Sequence, residues 1–155
     1  MRHQDRATAR RQLDKRLSIL QGSDTLTRPP RGWIKAIREA LSMTTAQLGR
    51  RLGVSQPRVV AIEKAEATGS ITLDSLERAA QALDCRLVYA LAPRTSLDNI
   101  VKGRATRLAE SRLKVTGHTM KLEAQGVDAL DEIEQLKILV DKLVKKGGSA
   151  LWEDS

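Results

Sequence analysis

The sequence has no Phe, one Tyr and two Trp among its 155 residues, so aromatic side chains make up only 2% of it. A core must then be built from Leu, Ile, Val and Ala, which favours packed helices over a β-sandwich. Single-strand nucleic-acid binders that stack bases on aromatic platforms are disfavoured for the same reason. Cysteine is nearly absent too. Cys85 stands alone, which excludes an intramolecular disulfide and gives no sign of an oxidising compartment. The opening stretch MRHQDRATARRQLDKRLSIL has no apolar run of signal-peptide length, and a cytoplasmic location is expected. No segment approaches the roughly 18–20 apolar residues of a membrane span, so no membrane partner is expected. Catalytic spacings are missing as well. The two His residues, His3 and His118, and Cys85 form no HxxxH or CxxC pattern, and there is no phosphate-binding glycine loop. The reading is therefore of a non-enzyme with no metal and no cofactor. The acidic run Asp128, Asp131, Glu132 and Glu134 fits an exposed helix face.

What the sequence has in excess is positive charge. Lys plus Arg number 27 against 19 Asp plus Glu, a net +8. Residues 1–31 hold eight basic and three acidic groups, and residues 32–70 hold six and three. Residues 71–95 balance at three each and residues 96–155 at ten each. A basic block followed by a neutral remainder suits a polyanionic partner, either nucleic acid or an acidic surface, or else a solvated basic tail.

Three segments follow from periodicity and breakers. Residues 1–31 read as a basic arm: a helix over 5–20 with Leu13, Leu17 and Leu20 on one side, then a linker stiffened by Pro29-Pro30. It suits a DNA-contacting arm, a dimerisation helix or a tail. Residues 32–93 read as a globular domain. Trp33, Ile34, Ile37, Ala40 and Leu41 recur at helical spacing. Thr44 caps TAQLGRRL, Gly53 closes it, and Ser55 caps QPRVVAIEKAEA with Pro57 in its first turn. Thr72 or Leu73 starts a fourth helix with Leu73, Leu76, Ala80 and Leu83 on one face. RLVYALAP then reads as one short edge strand ended by Pro93. Residues 94–155 read as a helical hairpin. Ser96 caps a first helix striped by Leu97, Val101, Ala105, Leu108 and Val115. A break at Gln125-Gly126 precedes a second, striped by Ala129, Ile133, Leu136, Val140 and Leu143, after which Leu151-Trp152 packs back. Residues 96–121 are net +4 and residues 122–155 net −4, which suits an antiparallel pair for dimerisation or partner binding.

The most specific signal is MTTAQLGRRLGVSQPRVVAIEKAEA. Its spacing fits a helix–turn–helix, with Ala46 small where two helices cross and Leu48 and Leu52 facing inward. Gly53 takes a left-handed turn, Val54 plugs it, and Val59 and Ile62 anchor the second helix. These residues resemble the phage-repressor-type (Xre, lambda-repressor-like) family from Trp33 to Leu91. The resemblance implies a lambda-repressor-like helical bundle, and with the short edge strand and the C-terminal two-helix extension read above the whole is expected to be mainly all-α. The resemblance also implies double-stranded operator DNA as a partner, bound by a homodimer. Ser55, Gln56, Pro57, Arg58 and Ala61 fall on the recognition helix, Thr45 on a phosphate-contact position, and Arg50 and Arg51 nearby. Arg38 and Glu63 match a structural ion pair. Pro57 departs from the usual polar residue and offers only an apolar edge, such as to a thymine methyl. Val60 and Ala61 are poor polar readers, which shifts weight to phosphate contacts and the arm.

Over nearly its whole length, through RRQLDKRL, PPRGWIKAIREALSMTTAQLGRRLGVSQPRVV, GSITLDSLERAAQALDCRLVYALAPRTSLD and GHTMKLEAQGVD, the chain resembles the family called mobile mystery protein A. That resemblance implies an antitoxin-like repressor encoded beside a Fic-domain protein, an enzyme class that transfers AMP from ATP to protein hydroxyls. Fic inhibitors carry Ser or Thr, three residues, Glu, then Gly or Asn. Thr119 to Glu123 fits the first five positions and Ala124 departs at the sixth; Thr106 to Glu110 fits as loosely. The rival readings are a Fic inhibitor with a vestigial helix–turn–helix, and a stand-alone regulator of a mobile element.

Overall fold

Most helix starts in this chain are places where a side chain takes up otherwise unpaired backbone N–H groups. The computed structural model describes residues 2–22, 24–123 and 129–153; the side chains of residues 116–123 and 129 lie outside that description. The described residues contain helices and no strand. They fall into two compact units, Ser23–Leu91 and a second made of Met1–Gly22 with Ala92–Ser155.

The first unit contains α2 (Trp33–Ala40), α3 (Thr45–Leu52), α4 (Gln56–Thr68) and α5 (Leu73–Ala82). Thr44 and Gln47 form a reciprocal capping box on α3, with Thr44 Oγ1 accepting from Gln47 N at 3.1 Å and Gln47 Oε1 accepting from Thr44 N at 2.8 Å. Ser55 caps α4 by accepting from Arg58 N, and Thr72 caps α5 by accepting from Ser75 N. Helix α2 has no such local cap. Its N-cap is Gly32, and the carboxylate of Glu66, far along α4, accepts from Trp33 N at 3.0 Å and Ile34 N at 2.8 Å. The core is Ile34, Leu48, Val59, Ala79 and Leu83, with Ile37, Leu52, Val54, Ile62 and Leu76 packed around it. Each large side chain fully withdrawn there contributes about 1.5–3 kcal/mol.

Two expectations need correction. The small residue at the α3–α4 crossing is Gly49, not Ala46. Gly49 is buried, and a Cβ there would lie 2.8 Å from Val54 O, whereas Ala46 is exposed. The expected edge strand is absent: residues 86–93 are irregular, and no backbone hydrogen bond among the described residues holds residues 86–92. Val88 and Leu91 are 73% and 85% exposed. A strand exists through its ladder, and the described residues offer no second strand to pair with.

The second unit contains α1 (His3–Leu17), α6 (Leu97–Glu123) and α7 (Ala129–Lys146), with short 3₁₀ turns at Ser18–Leu20 and Gly148–Trp152. Here α6 and α7 pair around Ala105, Ala109, Leu143 and Leu151. The two alanines let the helices approach closely, and Leu151 folds back into the core as expected, while Trp152 stays exposed. The break expected at Gln125-Gly126 lies outside the described residues. Helix α1 meets α6 through a polar edge that holds Arg10 and Asp14, with Leu17 half-buried on the same side. Asp14 accepts from Leu97 N at 2.6 Å and Asp98 N at 3.2 Å, so it caps α6 together with Ser96. Arg10 reaches Asp98 at 3.4 Å, and Leu13 is exposed. Arg104 ties the last turn down through Leu151 O and Glu153 O. No helix among the described residues is long and apolar enough to cross a membrane.

Candidate nucleic-acid interface

The turn between α3 and α4 is made by Gly53 at φ 71°, where a left-handed residue satisfies the end of α3 without steric strain. Ser55 then opens α4, and Gln56 and Pro57 form its first turn. This places the N-terminal ends of α3 and α4 side by side. Gln56 Nε2 donates to Thr45 Oγ1 at 2.9 Å, joining the first residue of each helix. With Gln47 N and Arg58 N capped and Pro57 lacking one, the N–H groups of Thr45, Ala46 and Gln56 remain without a backbone or cap partner among the described residues, and beside the polar bridge they are suited to an anionic oxygen.

The electrostatics of the pair are one-sided. Between residues 44 and 68 the only acids are Glu63 and Glu66, and both are buried. The exposed surface of α3 and α4 therefore carries Arg50, Arg51, Arg58 and Lys64 with no carboxylate among them. Arg50 and Arg58 make no side-chain hydrogen bond or ion pair within the described residues. Arg51 is engaged: its Nε donates to Ala82 O at 2.6 Å, at the C-terminal end of α5. It thus braces α3 against α5.

The two buried acids are scaffold. Glu63 Oε1 accepts from Arg38 Nε at 2.5 Å and Glu63 Oε2 from Arg38 Nη2 at 3.3 Å, while Arg38 Nη1 donates to Met43 O at 2.8 Å. The hydrogen bond to Glu63 raises the Arg38 pKa above its ordinary value, against the opposing effect of burial. The bidentate pair fixes α2 on α4, and the Met43 bond fixes the α2–α3 connection. Glu66 clamps the start of α2 and, through its carbonyl, accepts from Arg28 Nη1 at 2.6 Å. Sequence reasoning missed Glu66. The available signal was its i, i+3 spacing from Glu63 on the inward face of α4, next to a helix start with glycine as its only cap.

A family model for the helix-turn-helix matches residues 34–89. Residues 34–89 are a helix–turn–helix domain. No curated protein and no solved structure matches the chain. The helix–turn–helix is a DNA-binding fold, and its presence supports a DNA-binding regulator of the Xre type. Within the domain, α4 is the second helix of the helix–turn–helix. Ser55, Gln56, Pro57, Arg58 and Ala61 all stand exposed along its start, and Thr45 lies beside them at half exposure. Arg50 is exposed on the last turn of α3. Among the described residues no group of three or more His, Cys, Asp or Glu side chains is placed to hold a metal ion.

Thr119 and Glu123 belong to the helical run of α6, but their side chains lie outside the described residues. Of the second such pattern, Thr106 Oγ1 donates to Lys102 O at 2.8 Å, and Glu110 is exposed.

Proposed function

We propose that the chain is a sequence-specific double-stranded DNA-binding transcriptional repressor, acting as a cytoplasmic homodimer and as the antitoxin-like partner of a Fic-domain AMP-transferase. The observation that carries the DNA reading is the acid-free exposed face of α3 and α4, with both local carboxylates withdrawn into the scaffold. In this reading α4 enters the major groove by its N-terminal end. Thr45, Gln56 and the helix N–H groups hold one phosphate, Arg50 another, and Arg58 reaches a base edge or phosphate. A homodimer places two such helices about 34 Å apart, one turn of the duplex.

The test is fluorescence anisotropy with the duplex upstream of the chain's own gene, across a salt series. A dimer making 6–10 phosphate contacts is expected to lose about 10³–10⁵-fold in affinity between 50 and 200 mM salt. Arg58→Ala is expected to cost about 1–3 kcal/mol if the contact is bidentate to a base. Salt-independent or undetectable binding refutes the reading and leaves a protein-binding inhibitor with a vestigial helix–turn–helix.

The Fic partnership rests on the likeness to mobile mystery protein A and on the Thr119-to-Glu123 pattern. Mixing a neighbouring Fic protein with wild-type chain and with Glu123→Gly separates the cases. Loss of suppression of AMP transfer supports an inhibitory Glu123, and equal suppression by both removes it.

A further inference from the structure

The recognition helix presents an apolar centre line. With 100° per residue, Pro57, Val60, Ala61 and Lys64 fall within one stripe of α4 about 100° wide, and Gln56 and Arg58 fall on opposite flanks of it. All six side chains are exposed, and Val60 is 51% so. The core is built without this stripe, since α4 packs inward through Val59, Ile62, Glu63 and Glu66. Pro57, Val60 and Ala61 therefore face outward with nothing but C–H groups, in the middle of a surface whose charged members are all basic.

We propose that this stripe reads 5-methyl groups of thymine, so that the operator is specified chiefly by thymine methyls at the positions facing Pro57, Val60 and Ala61. The inference rests on the DNA-binding reading above and adds which base feature is recognised. A major groove offers each base pair a pattern of donors and acceptors, plus one apolar feature, the thymine methyl. Three adjacent C–H positions cannot exchange hydrogen bonds with the polar edges, and would leave such edges unpaired on desolvation. Against a methyl they lose nothing and bury apolar surface. Gln56 and Arg58 at the flanks, and Lys64 further along the stripe, hold the helix in register through phosphates or flanking bases, leaving the centre to shape and methyl contact.

The experiment uses the full chain. Duplexes are selected from a random-sequence library, and the tightest is resynthesised with each dT replaced singly by dU, which removes the methyl and leaves the pairing edge intact. At one or two positions per half-site affinity is expected to fall about fourfold, the value of burying one methyl-sized group. In Val60→Ala, dT and dU duplexes are expected to bind alike at the affected position. Arg58→Ala is expected to weaken both by the same factor. If the wild-type chain selects duplexes but no dU substitution changes affinity, the inference is overturned and the DNA-binding reading stands. A dU penalty that persists unchanged in Val60→Ala and in Ala61→Gly also overturns it, since the methyl then acts through DNA shape. Failure to select any duplex overturns both.

Discussion

Replacing Gly32 by Ala tests how the helix–turn–helix domain is held together, because two independent costs meet at one atom. The first is conformational. Gly32 sits at φ 90°, ψ 159°, a region that L residues occupy at a cost of about 1–3 kcal/mol. The second is steric. An added Cβ would lie 2.5 Å from Glu66 Oε1 and 2.9 Å from its Cδ. The Glu66 tip must then leave, stranding the N–H groups of Trp33 and Ile34 that it accepts from. Losing that arrangement costs about 1–3 kcal/mol. Gly32→Ala is therefore expected to destabilise the domain by about 2–6 kcal/mol. Glu66→Ala carries only the second kind of cost, together with lost packing. The double variant is expected to be less destabilised than the sum of the singles, because Gly32→Ala has already displaced the carboxylate that Glu66→Ala deletes. Urea unfolding followed by Trp33 fluorescence in a Trp152→Phe background reads this unit directly, since Trp33 is the first residue of α2. A Gly32→Ala variant within about 1 kcal/mol of its parent, or strict additivity in the cycle, would refute the reasoning.

Other variants probe the remaining supports. Arg38→Met leaves Glu63 buried without its cation and is expected to cost about 3–5 kcal/mol in urea unfolding, with Arg38→Met/Glu63→Leu recovering much of it. Gly49→Ala drives a Cβ to 2.8 Å from Val54 O and is expected to lower the melting temperature of the domain, whereas Ala46→Ser, at an exposed site, leaves it nearly unchanged. The hydrogen bond from Lys102, aided by Arg10, lowers the Asp98 pKa below 3.8. Asp98 thus contributes stability above its unfolded pKa that is lost as pH falls through its lower folded pKa. Unfolding of wild type against Asp98→Asn between pH 5 and 2 is expected to converge at the acid end, and parallel profiles would rule the contribution out.

Much of the domain was legible from sequence because its signals are local. The Thr44 cap, the left-handed Gly53 and the Ser55 cap with Pro57 behind it each act within a few residues, and all take the form their spacing implies. The Arg38–Glu63 pair was legible through family resemblance. What escaped was non-local. Gly32 beside Trp33 shows only that a local cap is missing, and the residue that replaces it, Glu66, lies 33 positions on. Nothing in the RRQLDKRL segment announces that Asp14 serves the start of α6, because the two N–H groups it accepts from lie more than 80 residues away. Ala46 and Gly49 are both small and on one helix, and only the path of the Val54 carbonyl decides which is needed. RLVYALAP has strand-forming residues, but propensity cannot supply a partner strand. In the interface, charge counting found the basic surplus, and it took the burial of Glu63 and Glu66 to show that no carboxylate offsets it on the exposed face.

The cap that Asp14 provides to α6 bears on the order in which the chain is made. Leu97 N and Asp98 N lie 83 and 84 positions beyond Asp14, so at about 5–20 residues per second the ribosome needs roughly 4–17 s to deliver the backbone that α1 serves. Residues 34–89 are synthesised in that interval and contain every contact described for their own core. The helix–turn–helix is thus positioned to fold while α1 still waits unpartnered. Chains truncated after residue 93 and released from the ribosome are expected to hold a protected domain behind a protease-sensitive N-terminal segment.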